Sequence, residues 1–421
     1  MAEREVEVIV QIAEEDVVAG RLWTHRRQQT ESQTFSYTPE YVERRDAYAL
    51  DPVLELREGP HQTPNGRAIF GAFSDCAPDR WGRRLIARNE SRRAAREGGA
   101  ERSFGETDYL LGVRDDLRQG ALRFRDPGSE TFLADEATGI PSLIELPKLL
   151  NAADHLERDE ATDEELATLL RGGSSLGGAR PKAHAMDASG RLAIAKFPSA
   201  AADNWDVMRW EAVALQLASD AGIRVPASTL HEIDGKAVLI VNRFDRPGDR
   251  RIGYCSAMTM LERSNGDRGS YLEIAEAIEG ESPHAQDDLH ELWRRIAFSI
   301  LVSNTDDHLR NHGFLRTSSA GWSLSPAFDL NPDPRPGAKH LNTAINDDDT
   351  AARVDLLLNV ADLFRLGNAD DAVTVLGQVS AAAARWRDVA SDFGLDRAAL
   401  AQMKPAFEHD QATEARKLVG S

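Results

Sequence analysis

Cysteine is scarce in this sequence. Only two cysteines, Cys76 and Cys255, occur among its 421 residues. Two thiols cannot form the disulfide framework of a small secreted domain, and they cannot fill a four-ligand zinc site. The cysteine content therefore favours a protein of the reducing cytoplasm.

The sequence also lacks an excess of basic residues and lacks long hydrophobic runs. It has 50 Lys and Arg against 69 Asp and Glu, a net charge of −19, and such a surface repels nucleic-acid backbone and anionic lipid. No apolar stretch approaches the roughly 18 residues of a membrane-spanning helix. The acidic residues of the opening segment MAEREVEVIVQIAEEDVVAG do not fit a signal peptide. We therefore expect a soluble cytoplasmic protein that does not bind DNA or a membrane surface directly.

The first region is predicted to be β-rich. Helical spacing begins only after Pro78, and the stretch 126–141 is rich in Pro, Gly, Ser and acidic residues, which indicates a connection between domains. At roughly 150 residues per domain, the chain should form two or three domains. Alternating strands separated by polar turns are predicted at residues 5–12, 21–23, 34–37 and 121–124.

Beyond the connection, the sequence predicts two helices, then two hairpins around one helix, and then a mainly helical region. Thr162 and Glu165 form a capping box at the start of the second helix. Asp234-Gly235 is a strong hairpin-turn signal, and residues 204–222 have helical spacing. Later segments with helical spacing lie at residues 272–278, 289–301, 354–366 and 372–393, with one hairpin at residues 314–324.

A glycine-rich segment, GGSSLGGARPK, occupies residues 172–182. Its glycines allow backbone N–H groups to approach an anion closely, and Arg180 and Lys182 supply positive charge. The segment lacks the spacing of a Walker loop and of a dinucleotide fingerprint. Considered alone, it could be a phosphate-binding loop or a plain linker.

Lys196, in the sequence LAIAKFP, lies at the end of a predicted strand. The alternation of this strand otherwise requires apolar or small residues. The pattern A-I-A-K resembles the V-A-I-K strand whose lysine orients nucleotide phosphates in protein kinases. Glu211, in the middle of the following helix, is the natural carboxylate to hold this lysine. The alternative is that each residue is simply an exposed charge.

The segment SNTDDHLRNHGFL (residues 303–315) directly follows an apolar helix. Asp306 and Asn311 have the spacing D-x-x-x-x-N of the kinase catalytic loop, in which the Asp accepts a hydroxyl proton and the Asn holds magnesium. His308 is a further candidate at the catalytic loop, with a structural hydrogen-bonding role as the preferred interpretation. A metal site made of Asp306, Asp307, His308 and His312 is disfavoured, because the ligands lack the H-E-x-x-H pattern.

Asp329, in SPAFDLNP, follows the predicted hairpin a short distance downstream of this loop. Kinases place there the Asp that coordinates Mg²⁺ between the β- and γ-phosphates. The segment could also be a simple turn. The order of the candidates favours the metal role, because glycine loop, lysine, glutamate, D-x-x-x-x-N and aspartate follow one another as in kinases.

In this combination the chain resembles the HipA-like serine/threonine kinases, toxins of bacterial toxin–antitoxin modules. The resemblance covers nearly the whole length. It rests on the motifs FSDCAPDRWGRRLI, GALRF, SSLGGARPK, AKFP, NRFDR, NTDDHLRN and SPAFDLNP.

The resemblance implies an α+β fold in which a β-rich N-terminal domain is fused to a protein-kinase-like bilobal core with a helical C-terminal lobe. We expect the N-terminal domain at residues 1–135, a small lobe with the Gly-rich loop at 136–243, and the large lobe with the catalytic loop at 244–421. The implied activity is ATP- and Mg²⁺-dependent phosphorylation of a serine or threonine on a protein. In characterised relatives the target is an aminoacyl-tRNA synthetase, and the result is growth arrest.

The resemblance, together with the residue patterns, assigns roles to individual positions. Asp306 is the expected catalytic base, with His308 beside it, and Asn311 and Asp329 are the expected magnesium ligands. Ser175, or its neighbour Ser174, matches the serine that family members autophosphorylate to inactivate themselves. The expected nucleotide-binding residues are Ser175, Gly177, Gly178, Ala179, Arg180, Lys182, Lys196, Glu211, Val241, Asn242, Arg243 and Phe244, the last four forming the adenine hinge.

The resemblance also implies a partner, a helix-turn-helix antitoxin of the HipB type that carries the kinase to operator DNA. Two other classes remain open at this point. A small-molecule kinase of the aminoglycoside-phosphotransferase type would share the D-x-x-x-x-N loop but would not explain the N-terminal domain. A catalytically dead corepressor would bind nucleotide without turnover.

Overall fold

The chain begins with an antiparallel five-stranded sheet in the computed structural model, which describes residues 3–27, 30–64, 66–134, 139–173, 180–187, 189–367 and 369–420. The strand order is β4-β3-β2-β1-β5. Strands β1 to β4 form a meander, and β5, which comes much later in the chain, pairs with β1 at the edge of the sheet. The strands predicted from alternation lie in this sheet, whereas the short β4 had no alternation to predict it. The strands are β1 Glu3–Ile12, β2 Glu15–Arg27, β3 Thr30–Tyr37, β4 Pro60–Gln62 and β5 Leu122–Arg125.

The helices of this first region lie between β3 and β5 along the chain. The helix expected after Pro78 is confirmed; it begins at its N-cap Asp79, whose side chain accepts a hydrogen bond from the Gly82 N–H, and it ends at Gly98 in the left-handed region. The helices are α1 Pro39–Val42, α2 Gly71–Asp75, α3 Arg80–Glu97 and α4 Glu106–Leu111, and a 3₁₀ turn follows at Asp115–Leu117.

The second region has the predicted order of two helices, a hairpin, a helix and a hairpin. A 3₁₀ turn at Leu143–Glu145 precedes it, and its four strands form an antiparallel sheet in the order β6-β7-β9-β8. The capping box of Thr162 and Glu165 is present, and Asp234 and Gly235 both have positive φ, as a tight hairpin turn requires. The elements are α5 Leu146–Glu157, α6 Asp163–Arg171, β6 Lys182–Met186, β7 Leu192–Lys196, α7 Val207–Asp220, β8 Ser228–Ile233 and β9 Lys236–Asn242.

Helix α3 of the first region packs into the core of the second. Trp81 and Leu85 share one buried cluster with side chains of α5, α6, β7 and β9. Arg84 donates to the Leu156 carbonyl at the end of α5, where helix carbonyls lack intrahelical partners. The two regions are therefore separated by a connection along the chain but share a hydrophobic core.

The third region is mainly helical and contains a three-stranded sheet in the order β10-β11-β12. The predicted hairpin is β11 and β12. The stretch 372–393 is divided into two helices at Arg385, and the stretch 354–366 ends in a 3₁₀ turn, Ala361–Phe364. The elements are β10 Gly253–Ser256, α8 Ala257–Met260, α9 Tyr271–Glu281, α10 Ala285–Leu301, β11 Gly313–Ser318, β12 Gly321–Leu324, α11 Val354–Asn359, α12 Ala369–Ala384, α13 Trp386–Asp392, α14 Arg397–Phe407 and α15 Asp410–Gly420.

None of the helices in the described part of the chain is long and apolar enough to cross a membrane.

Candidate functional site

Lys196 is the centre of a cluster of charges contributed by three elements. It is the last residue of β7, and its Nζ donates to Glu211 Oε1 at 2.5 Å and to Asp329 Oδ1 at 3.1 Å. Glu211 lies on α7, and Asp329 lies in the segment after β12. The fold thus brings Asp329 to Lys196 and Glu211, although Asp329 lies 133 residues after Lys196 in the sequence.

The charges of this cluster stabilise one another. Burial would lower the pKa of Lys196, but the Asp329 and Glu211 carboxylates outweigh it and raise that pKa, so the ammonium stays charged. Burial opposes ionisation of Asp329 as well, yet Lys196 lowers the pKa of Asp329 to about 2. Burial raises the pKa of Glu211, and Lys196 offsets part of this rise. Asp329 is the better exposed of the two carboxylates and keeps its negative charge toward the solvent.

The backbone at Asp329 is in the left-handed region, with φ of +59°. A non-glycine residue in this region is strained, and such strain persists where neighbouring groups enforce it. Two asparagines do so here. The Asn331 N–H donates to Asn304 Oδ1 at 3.0 Å, and Asn331 Nδ2 donates to Asp329 Oδ1 at 3.2 Å.

The catalytic-loop segment follows α10 and places Asp306 on the surface. Asn342 Nδ2 donates to Asp306 Oδ1 at 2.8 Å, which orients the carboxylate. Asn311 lies in the 3₁₀ turn Leu309–Asn311, and its Nδ2 donates to the backbone oxygen of Asp306 at 3.0 Å. The D-x-x-x-x-N spacing therefore closes a loop in which the second residue fixes the backbone of the first.

The next carboxylate, Asp307, has the opposite environment. It is buried, accepts a hydrogen bond from the Tyr271 hydroxyl, and lies 2.9 Å from His312 Nε2. Burial opposes ionisation, but His312 and these hydrogen bonds lower the pKa of Asp307. Thr343 Oγ1 also donates to the Asp307 carbonyl at 2.7 Å. Asp307 thus anchors the loop from inside.

His308 follows these two carboxylates and is half-buried, between the exposure of Asp306 and the burial of Asp307. Its backbone N–H donates to the Asp306 carbonyl at 3.1 Å. Its Nδ1 is buried without a hydrogen-bond partner among the described residues. Among the described residues, no three His, Cys, Asp or Glu side chains converge where a metal ion could sit.

The glycine-rich segment is described at its two ends. Gly173 has φ of +66°, and a Cβ there would lie 2.3 Å from Leu117 Cδ1, so glycine is required. At the other end, Arg180 Nε donates to Asp203 Oδ1 at 2.9 Å, and Lys182 Nζ donates to Asp79 Oδ2 at 2.5 Å. The candidates that lie outside the described residues are Ser174, Ser175, Gly177, Gly178 and Ala179.

The predicted hinge comprises the end of β9 and the two residues after it. Val241 is opposite Ile194 of β7. The N–H groups of Asn242 and Arg243 are already used, since they donate to the Ala227 and Leu192 carbonyls at 2.9 and 3.0 Å. A ligand at the hinge must therefore use other backbone groups of this segment.

The side chains of the hinge point to two different environments. Phe244 is half-buried, and its ring lies 5.7 Å from the ring of Phe328, the residue before Asp329. The Arg243 guanidinium is buried and donates to Asp245 and to the Leu117 carbonyl of the first region. Phe328 extends the site by an aromatic side chain that the sequence analysis did not include.

Several candidate residues carry oxygen donors of the kind that magnesium takes. Mg²⁺ takes oxygen ligands, commonly one or two carboxylates together with substrate phosphates and water. Asp329 offers a carboxylate, and Asn311 offers an amide oxygen. In addition, Asn331 Oδ1 is buried and lacks a hydrogen-bond partner within the described ranges, although the Nδ2 of the same amide contacts Asp329. An unpaired buried oxygen beside a carboxylate has lone pairs available for a hard cation.

Two family models match this chain. The model of the HipA-like C-terminal domain matches residues 174–391, which include every element of the charge cluster, and the model of the HipA N-terminal domain matches residues 10–100. The chain belongs to the HipA-like family. The resemblance stated from the motifs is thereby confirmed.

One solved structure matches the chain over nearly its whole length. HipA of Shewanella oneidensis, solved with HipB and operator DNA, has 16% sequence identity and a TM-score of 0.62, and the match covers 99% of this chain and 96% of that one. The Helicobacter pylori proinflammatory kinase CtkA has 16% identity and a TM-score of 0.44 over 57% of this chain and 90% of that one. The predicted fold class, a β-rich N-terminal domain with a kinase-like bilobal core and a helical C-terminal lobe, is confirmed by the match to HipA.

Among curated proteins, a protein of Sinorhizobium fredii described as putative kinase Y4dM is 31% identical over 102 residues. This match covers 24% of this chain and 24% of the relative. The chain thus spans about a quarter of the length of the curated relative it matches.

Proposed function

We propose that this HipA-like chain is an ATP- and Mg²⁺-dependent serine/threonine protein kinase that acts as the toxin of a toxin–antitoxin module. The observation that carries the proposal is the contact of Lys196 with both Glu211 and Asp329. In protein kinases the corresponding lysine and glutamate pair must be in place beside the magnesium aspartate for phosphoryl transfer. The family membership supports the same activity.

The proposal gives each group of residues one task. Asp306, exposed and oriented by Asn342, accepts the proton of the acceptor hydroxyl, with His308 beside it. Asn311 and Asp329 hold Mg²⁺, which neutralises charge on the phosphates when it is bound. Lys196 contacts the nucleotide phosphates while Glu211 holds its ammonium. The phosphate-facing segment comprises Ser175, Gly177, Gly178, Ala179, Arg180 and Lys182.

Adenine binding is proposed at the hinge, residues 241–244. Because the N–H groups of Asn242 and Arg243 are engaged within the protein, the carbonyl groups of this segment are the proposed contacts. Phe244 and Phe328 together offer an aromatic surface for a base.

The proposed partner is a helix-turn-helix antitoxin of the HipB type, through which the chain would reach operator DNA in the cytoplasm. The Shewanella HipA structure contains HipB and operator DNA, which supports a partner of that kind. A net charge of −19 suits a chain that reaches DNA through another protein. The proposed substrate is a protein, with an aminoacyl-tRNA synthetase as the first candidate to test.

The glycine-rich segment is also the proposed site of self-inactivation. A phosphate on Ser175, or on Ser174, adds about −1.5 to −2 charges at pH 7. This charge would compete with the ATP phosphates for Arg180 and Lys182. Autophosphorylation would therefore lower the affinity for nucleotide.

The test of the proposed function is the dependence of ATP turnover on Asp329. We expect the wild-type chain to transfer the γ-phosphate of ATP with Mg²⁺ and to stop in excess EDTA, and we expect Asp329→Ala to remove at least about 99% of the rate, because charge stabilisation of this kind contributes 10²-fold or more. Asp392→Ala, which removes an exposed carboxylate at the end of α13, is the matched control and should keep full activity. Equal turnover by Asp329→Ala and the control would contradict the proposal.

A further inference from the structure

The start of α3 holds Lys182 at two points. Asp79 Oδ2 accepts a hydrogen bond from Lys182 Nζ at 2.5 Å, and Trp81 Nε1 donates to the Lys182 carbonyl at 3.0 Å. The Lys182 and Asp79 side chains are only 8% and 5% exposed. Asp79 and Trp81 precede Lys182 by 103 and 101 residues in the chain, and together they fix its side chain and its backbone.

Asp79 is itself rigid, because it is the N-cap of α3. Its Oδ1 accepts a hydrogen bond from the Gly82 N–H at 2.6 Å, while Oδ2 is used for Lys182. A buried carboxylate needs compensation on both oxygens, and the helix N-terminus and the ammonium supply it. The carboxylate that meets Lys182 is thus placed by helix geometry rather than by a flexible side chain.

Lys182 is the last residue of the glycine-rich segment and the first residue of β6. In the register of the sheet it lies opposite Lys196, the centre of the charge cluster. The Phe197 N–H also donates to the Pro181 carbonyl at 2.9 Å.

The same segment of the first region also reaches the catalytic loop. Asp75, at the end of α2, accepts hydrogen bonds from the Ser256 N–H and hydroxyl, both at 2.7 Å, and lies 3.4 Å from Arg310 Nη1. Arg310 lies between Asp306 and Asn311 in the sequence, in the 3₁₀ turn that closes their loop. Residues 75–81 therefore contact both loops that frame the proposed nucleotide site.

We propose that Asp79 and Trp81 are positioning residues of the nucleotide site, which hold Lys182 so that the end of the glycine-rich segment lies beside Lys196. The N-terminal domain is then a structural part of the phosphate-binding site and not only an appended module. This inference rests on the proposed function, because it assigns to the site an ATP phosphate group. It adds two residues, from another domain, that act through Lys182.

The substitution that tests this inference is Asp79→Asn in the full chain. Asparagine caps a helix as well as aspartate does, so the change removes the charge that faces Lys182 and keeps the start of α3. Trp81→Phe is the second variant, because it keeps an aromatic ring in the core and removes only the donor to the Lys182 carbonyl. Asp163→Asn is the control, since it weakens another contact of α3 with the same lobe, the pair of Arg92 with Asp163.

Two readouts separate positioning from general stability. Hydrogen–deuterium exchange of residues 172–187 should accelerate in Asp79→Asn and Trp81→Phe and stay unchanged in Asp163→Asn, with α10 protected in all three. The Kd for ATP with Mg²⁺ should rise roughly tenfold in Asp79→Asn, the size typical of coupling between residues in contact, while kcat at saturating ATP changes by less than about twofold.

Unchanged exchange in both variants would overturn the inference, and so would faster exchange with an unchanged Kd. If Asp79→Asn loses protection throughout the chain, Trp81→Phe is the variant that decides. For Trp81→Phe, unchanged exchange of residues 172–187, or faster exchange with an unchanged Kd for ATP, would overturn the inference. A wild-type chain that binds ATP but transfers no phosphate would contradict the proposed function alone. The exchange and Kd comparison would still decide the role of Asp79.

Discussion

Neighbouring residues of the same type have opposite environments at this site. Asp306 is exposed and oriented by Asn342, whereas Asp307 is buried against Tyr271 and His312. The exposed carboxylate is free to meet a substrate, and the buried one has its oxygens satisfied inside the protein. Environment rather than residue type therefore determines which carboxylate can act as a base.

His184 is a residue whose protonation should affect stability. The carbonyl of Gly172 can only accept and the Arg243 guanidinium can only donate, so Nδ1 carries the proton toward Gly172 at 2.9 Å and Nε2 accepts from Arg243 at 3.1 Å. Burial and then Arg243 lower the pKa of His184 to about 3. The neutral ring thus stabilises the fold fully above the ordinary histidine pKa, and this contribution is lost as the pH falls toward 3.

We predict that His184→Gln weakens the acid sensitivity of the fold. Glutamine offers one donor and one acceptor but does not titrate. Below about pH 6 the free energy of unfolding of the wild type should fall faster than that of the variant by about 1.4 kcal/mol per pH unit. Urea titrations of both proteins at pH values from 7 to 5 measure this difference. If the free energies of unfolding of the two proteins fell in parallel with pH, His184 would not be the source of the acid sensitivity.

At the residue scale, the sequence pattern indicates the residues that are proposed to carry the chemistry but not the residues that hold them in place. Lys196 was recognisable because a charge interrupts an apolar strand, and Asp306 with Asn311 because of their spacing. Asn342 and Asn331 had no such signal, since an asparagine in a loop has many ordinary roles. Their contacts depend on how segments after the hairpin return to the catalytic loop.

Among the elements, helix α6 shows how a local signal specifies structure. Thr162 Oγ1 accepts from the Glu165 N–H at 3.2 Å, and Glu165 accepts from the Thr162 N–H at 2.7 Å. Both bonds satisfy groups that a helix start leaves unpaired. The helix ends immediately before the glycine-rich segment, so its stability affects the start of that segment.

We predict that Thr162→Ala lowers the free energy of unfolding by about 1 kcal/mol, the usual cost of an N-cap side chain. Thr168→Ala is the control in the same helix. Within the described part of the chain its hydroxyl bonds only the Glu164 carbonyl. Alanine favours the helix interior, so this change should not destabilise the protein. Thermal unfolding of the two variants side by side measures the effect. A larger loss in Thr168→Ala would contradict the capping assignment.

The elements that were predicted correctly have strong local patterns. Alternation identified the strands of the first sheet, and Asp234-Gly235 identified the second hairpin. Helices α14 and α15 were not predicted, because Pro405 lies inside α14 and the last segment is largely polar. They form through packing on the large lobe, as in the stacking of Trp386 on Phe407 at 4.9 Å.

Across the whole molecule, a buried polar network joins the first region to the hinge. Arg246 donates to the Gly120 carbonyl, and Asp245 accepts from the Gly120 N–H at 2.8 Å. Arg243 contacts carbonyls at Leu117 and Arg118. Burial opposes ionisation of Asp245, yet the adjacent guanidinium groups lower its pKa below the ordinary value. Sequence analysis could not predict this network, because its partners are more than one hundred residues apart.

We predict that Asp245→Asn destabilises the whole chain by about 3–5 kcal/mol, because it leaves buried arginine charges without their carboxylate. Asp249→Asn, at an exposed position a few residues later, should change stability by less than about 0.5 kcal/mol. Urea denaturation followed by tryptophan fluorescence compares the two. Equal stability of both variants would mean that the network does not hold the hinge against the N-terminal domain.

The central claim is that this chain transfers phosphate from ATP to a protein by means of Asp306. The most direct measurement incubates the wild type and Asp306→Asn with γ-labelled ATP, Mg²⁺ and a dephosphorylated cell lysate, and follows the label in protein, in phosphoserine and phosphothreonine, and in small molecules. We expect label on protein serine or threonine with the wild type only, while both proteins bind ATP alike. Label confined to small molecules, equal labelling by Asp306→Asn, or ATP binding by the wild type without any transfer would contradict the account.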